Sequence, residues 1–204
     1  RLIKFIDIQN NVLNVGEIIT VNENGQFLHK IYDESPEMYH LIYERELKKG
    51  RWNPIEFFND NDSIEFNLNK ENEINGGNLN KELKDYKNKI ETYFKPKFEK
   101  AKTKESQEKL SKDFINYRYN YINKNKSEFS YYMLIEDILY NSNNPIINKE
   151  LIKDYVKKYK KNFPEHNYSK IIDNKLLALN ELKKGEMYIP FSAKDINNKN
   201  VEIS

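Results

Sequence analysis

The 204 residues carry 34 basic and 32 acidic side chains, a net charge of +2, so the concentrated positive charge needed to displace counterions from a nucleic acid is lacking and no nucleic-acid partner is expected. Only 38% of residues are hydrophobic, yet 15 Tyr and 11 Phe supply large buried areas, so a core is within reach and will be rich in rings. No run approaches the roughly 18 apolar residues of a membrane-spanning helix, and the absence of cysteine excludes thiolate chemistry within the chain.

Strand patterns fill residues 1–78. Leu2 to Ile8 mostly alternates, Val12 to Val21 is β-branched, and Asn24-Gly25 follows as a type I′ turn signal before Gln26 to Tyr32 returns. Glu37 to Glu46, with Tyr39, Leu41 and Tyr43 on one face, predicts the next strand. Ile55 to Phe58 and Ser63 to Leu68 follow across an Asn-Asp-Asn-Asp turn. The expected architecture is an antiparallel β meander or sandwich.

From Leu79 the hydrophobic period changes from two to 3.6. Asn78 is the expected N-cap, Gly76 or Gly77 is expected at positive φ, and Leu79, Leu83, Tyr86 and Ile90 recur at helical spacing until Pro96 interrupts. Leu110, Phe114, Tyr117, Tyr121 and Ile122 mark a second helix, and a third runs from near Ser127 to Asn141. The fourth spans about Asn148 to Asn162 and the fifth about Ser169 to Lys184, closed by Gly185 at C′. Met187 to Ser204 then reads as a β-hairpin.

Three local patterns, taken in order, resemble a known arrangement. They are Val21-Asn22-Glu23-Asn24-Gly25-Gln26-Phe27 with Pro36-x-x-Tyr39-x-Leu41 after it; Ile55-Glu56-Phe57-Phe58, an acidic turn and Ile64-Glu65-Phe66; and Ile74-Asn75-Gly76-Gly77-Asn78-Leu79-Asn80-Lys81-Glu82-Leu83. Together they resemble the DUF4369 domain, the β-rich region that precedes a helical segment and a thioredoxin-like domain in cell-envelope TlpA-family (AhpC/TSA-type) disulfide reductases of Bacteroidetes-type bacteria. The tail from Ile189-Pro190-Phe191 to Val201-Glu202-Ile203-Ser204 resembles the entry to that thioredoxin-like domain, with Asn198 where relatives commonly have Gly. The Ile-x-Gly step that normally opens the domain is not visible before Leu2. With Arg1 in place of an initiating Met, this is read as loss of an upstream piece, for which a secretion signal or lipid-anchored segment is the candidate.

Scattered polar residues carry weaker signals. His29, His40 and His166 fall in different elements without metal-ligand spacing, so no metal is expected. Glu136-Asp137 point about 100° apart on a helix, a poor carboxylate pair, and are expected on the solvated surface. Lys157-Lys158-Tyr159-Lys160-Lys161 ends a helix, where cations complement the dipole. Gly76-Gly77 lacks the Lys-Ser/Thr of a phosphate loop and is read as a chain reversal. Trp52 is expected at the sheet edge, beside a ligand pocket or packed on the sheet.

The expected fold is therefore α+β: an antiparallel β domain over 1–78, a helical segment of about five helices over 79–185, and over 186–204 a C-terminal β-hairpin that would open a thioredoxin-like domain. No catalytic, cofactor-binding or metal-ligating residue is assigned, and no cofactor is expected. By resemblance, the role is that of a non-catalytic N-terminal region of an envelope or periplasmic thiol-disulfide oxidoreductase, which positions the redox domain, forms a homodimer or selects client proteins. The alternative is a stand-alone envelope module that binds a small ligand or a peptide. The tail side chains Phe191, Ile196, Val201 and Ile203 are expected to pack on the rest of the chain or on a second copy.

Overall fold

Met38, Tyr39, His40 and Leu41 are all buried, so this strand must be covered on both faces. In the computed structural model, which describes residues 1–8, 16–69, 73–141, 144–172, 191–194 and 200–203, it lies at the centre of a three-stranded antiparallel sheet. β1 (Leu2–Lys4), β2 (Met38–Leu41) and β3 (Ile55–Phe58) follow in that order, with Leu2 opposite Leu41 and Tyr39 opposite Phe57. The pleat sends Leu2, Tyr39, Leu41, Ile55 and Phe57 to one face. A second antiparallel pair, β4 (Glu65–Asn67) and β5 (Glu73–Asn75), contributes Phe66 and Ile74 to that apolar cluster, and Ile19, Phe27 and Ile31 add to it. Met38 and Phe58 point the other way, into the helices.

Several expected strands take other forms. Leu2 to Ile8 is strand only to Lys4, after which Phe5–Asp7 tightens into a 3₁₀ turn that buries Phe5. Glu37 to Glu46 is strand only to Leu41, and α1 (Glu44–Lys48) follows. Glu44 and Lys48 pair at i,i+4 on its outside, while Leu47 turns in to join Ile3 and Ile42. Of Val12 to Val21, residues 12–15 lie outside the described residues, and the rest meets β1 through a bridge between Leu2 and Glu17. Gln26 to Tyr32 is extended but joins no ladder among the described residues. The Asn24-Gly25 turn forms without type I′ geometry. Among the described residues only Lys126 and glycines have positive φ, so Gly25 alone takes the left-handed conformation (φ 75). Asn22 closes a three-residue loop, its Oδ1 accepting from the amides of Asn24 and Gln26.

The change of period at Asn78 is a change of structure. Gly76 and Gly77 both have positive φ (111 and 82), and α2 (Asn78–Lys89) starts at once. Asn78 is its first residue and not its cap. Asp60 does the capping from the β3–β4 turn, its Oδ2 accepting from Leu79 N at 2.6 Å. A Cβ on Gly77 would lie 1.9 Å from Asp60 Oδ1, so only glycine fits against this cap. Pro96 does not end the helix: a π turn at Ile90–Phe94 widens it just before the ring, and α3 (Lys95–Lys100) carries on.

Asn80 holds α2 to β3. Its Oδ1 accepts from Phe58 N at 2.8 Å and its Nδ2 donates to Phe58 O at 2.8 Å, so one side chain occupies the strand edge as a neighbouring strand would. Removing it strands two buried main-chain groups. Asn80→Ala is therefore expected to cost on the order of 2 kcal/mol in urea unfolding; a loss within error would show that water replaces the amide.

Three longer helices complete the described core. α4 (Lys104–Asn125) opens on a Thr103–Ser106 capping box and stops where Lys126 turns left-handed. α5 (Glu128–Tyr140), capped by Ser127, is buried along most of its length from Phe129 to Ile138, which makes it the central helix. Phe5 and Phe58 pack edge-on against its Tyr132 and Phe129, joining sheet and helices in one core. α6 (Lys149–Asn162) is capped by Asn148, and the Tyr159 hydroxyl donates to Ile122 O at 2.6 Å. A further helical stretch at 167–172 closes over β2: His166 Nε2 donates to Pro36 O at 2.9 Å, Asn167 Nδ2 to Glu37, and Met38 N to the Tyr168 hydroxyl at 2.9 Å.

The remainder of the expected fifth helix, with Gly185, lies outside the described residues. β6 (Phe191–Lys194) and β7 (Asn200–Ile203) pair antiparallel, Phe191 opposite Ile203. The expected packing of Phe191, Ile196, Val201 and Ile203 falls on side chains outside the described residues.

Candidate functional site

The extended segment after the Gly25 turn has strand periodicity without a strand partner among the described residues. Phe27, His29, Ile31 and Asp33 are half-buried, whereas Leu28, Lys30 and Tyr32 face outward, Leu28 at 90% and Tyr32 at 84% exposure. No main-chain hydrogen bond between described residues ties residues 27–33 to anything else. Asp33 anchors the far end by accepting from the Tyr39 hydroxyl and from Lys4 Nζ. Burial, and then that bond to Asp33, push the Tyr39 hydroxyl far above its ordinary range.

Between this arm and β4 runs a groove of about 1430 Å³. Leu41 and Phe57 form its floor, and Phe66 stands edge-on to Phe57 at 4.8 Å between ring centres. β4 borders the groove and β5 does not, so the β4 edge turned away from β5 faces it. Glu34, Asp62 and Glu65 stand exposed at the rim, and none has an ion-pair partner among the described residues. Asp33 and Asp60 are already engaged. The basic residues here are Lys30 and His29, the latter with Nε2 3.0 Å from Glu17 but outside hydrogen-bond geometry.

A second polar centre lies inside the helices. Arg118 of α4 is 8% exposed; its Nε donates to Asp137 Oδ2 at 2.9 Å, and its NH2 nitrogen donates to Glu136 Oε2 and to Met133 O at 2.7 Å each. Asp137 thus leaves the solvated surface expected for the pair, at 1% exposure, while Glu136 is half-buried. Their divergence on the helix is real, but they converge on one guanidinium instead of on each other. Burial alone would lower the Arg118 pKa, and the Asp137 and Glu136 carboxylates outweigh it and raise it. Burial lifts the Glu136 carboxyl, against the pull of Arg118. Tyr132 and Asn141 donate to the two carboxylates, so the cluster is a closed clamp between α4 and α5.

Sequence reading missed Arg118, although a signal existed. It is one of only four arginines among 34 basic residues, and it sits between Tyr117 and Tyr119. A planar, permanently charged group among rings suits a buried ion pair better than lysine does.

The three histidines stay apart. His40 is buried on β2 with no hydrogen bond to either ring nitrogen; Glu56 Oε1 lies 3.6 Å away, too far for one. Burial lowers its pKa to about 4, the Glu56 carboxylate opposing and Lys87 assisting. His166 accepts from Tyr168 N through Nδ1 at 3.2 Å, which leaves the Nε2 proton for Pro36. Among the described residues no group of three or more His, Asp or Glu could hold a metal, and no helix is long and apolar enough to cross a membrane. Trp52 is 43% exposed, with its ring 5.5 Å from His40 and away from the groove. Lys157, Lys158 and Lys161 are exposed on α6, while Tyr159 within that run is core. Gly76-Gly77 reverses the chain against Asp60. No family model, no curated protein and no solved structure matches the chain.

Proposed function

We propose that this chain is a non-catalytic binding module whose ligand lies in the groove between the residue 27–33 arm and β4. The observation that supports it is the arm itself: an extended segment with alternating burial, whose main-chain groups have no partner among the described residues and which meets β4 through the Phe27 and Phe66 rings, 6.0 Å between centres, beside an apolar floor. A chain that lacks cysteine performs no thiol chemistry, so within the DUF4369-type resemblance the groove serves client selection ahead of a redox domain in the cell envelope.

The test is selection of a random peptide library on the folded protein, followed by amide NMR titration with the strongest binder. Saturable shifts are expected at residues 19–36 and 57–69. Shifts confined to other surfaces, or no saturable binder, would overturn the proposal. Line broadening of those same amides without ligand, with a dimer mass by light scattering, would make a second copy of the chain the occupant.

A further inference from the structure

We infer that the groove takes an extended polypeptide segment bearing basic side chains, added as a strand between β4 and the residue 27–33 arm. This rests on the groove being the binding site. Both walls are extended chain, and each presents main-chain donors and acceptors without protein partners among the described residues, the template that strand addition uses. In the three-stranded sheet both edges are already engaged: Leu2 on β1 exchanges two 2.8 Å hydrogen bonds with Glu17, and Phe58 on β3 is closed by Asn80. A strand inserted here sends alternate side chains down onto Phe57 and Phe66 and the intervening ones up to the rim. There the exposed carboxylates of Glu34, Asp62 and Glu65 have no ion-pair partner among the described residues, and a segment with Lys or Arg at every second position supplies one.

Four labelled heptapeptides test this by fluorescence anisotropy: one alternating Lys and Val, one alternating Glu and Val, and two copies of the first N-methylated on odd or on even residues. The cationic peptide is expected to bind at least about tenfold tighter than the anionic one, and at least one methylated copy to lose about tenfold, since methylation removes the donors along one edge. E34K/D62K/E65K should reverse the charge preference while leaving the melting temperature in place, because all three residues are exposed. Equal binding of the methylated copies would overturn strand addition and leave the groove standing. Equal binding of both charges would overturn the basic partner. If no peptide binds and the groove amides stay unmoved, the reading of the groove as the binding site fails with it.

Discussion

Arg118→Ala should cost about 3–5 kcal/mol of folding stability, because it leaves the Asp137 carboxylate buried without its counter-charge. For a chain of this size that is a fall in Tm of roughly 10 °C. The clamp is expected to matter through the penalty of breaking it more than through its net worth when whole. Taking Arg118 and Asp137 out of water offsets most of their attraction, so a matched apolar pair should serve nearly as well. Arg118→Met with Asp137→Leu is accordingly predicted to recover most of what Arg118→Met loses: Glu136 is only half-buried and can turn to solvent, and Asn141 can do the same. Chemical denaturation of the two singles and the double forms a cycle whose coupling should exceed about 2 kcal/mol. A single-site loss below about 1 kcal/mol would show that water reaches Asp137.

Acidification should weaken the fold through His40. Its pKa is about 4 in the folded chain against the ordinary 6.5, so between those values the unfolded chain binds the extra proton and stability rises with pH. The contribution is complete above pH 6.5, declines as pH falls below it, and is lost by about pH 4. The shift corresponds to roughly 3 kcal/mol. Glu136 acts with the opposite sign, since a carboxyl whose pKa is raised in the folded chain favours folding as it protonates. Comparison with His40→Leu removes that background. The difference in unfolding free energy between the natural chain and the variant should shrink by about 3 kcal/mol from pH 7 to pH 4. A difference that stays constant would mean that the imidazole is already charged and paired with Glu56, and the ring nitrogens' own NMR titration would then sit well above 4.

Periodicity located most elements, and the failures share a cause. Leu79, Leu83 and Tyr86 announced α2, and Ser127 and Asn148 announced the starts of α5 and α6, because caps and apolar stripes are local signals. Ile42 to Glu46, expected to continue the strand, does not, because a strand pattern carries no stop signal of its own, and the burial of Leu47 with Ile3 and Ile42 decides the matter from a distance. The Asn24-Gly25 pair marked a turn, but its type was set by the Asn22 side chain outside the pair. For the groove, the sequence pattern supplied the extended arm and not its lack of a strand partner among the described residues, which depends on where β4 lies. The ionic clamp needed Arg118 and Asp137 brought together across 19 residues, and no spacing rule reaches that far.

The ties from His166, Asn167 and Tyr168 to Pro36, Glu37 and Met38 each span 130 residues. Synthesis runs from one end, so β2 emerges long before the groups that satisfy it; at ordinary elongation rates the wait is on the order of ten seconds. During that interval the Met38 amide and the Pro36 carbonyl are open to whatever the nascent chain meets. Closing so long a loop comes late and slows the final step. The newborn chain therefore passes through a period in which the residues that will cover the central strand have not yet been made.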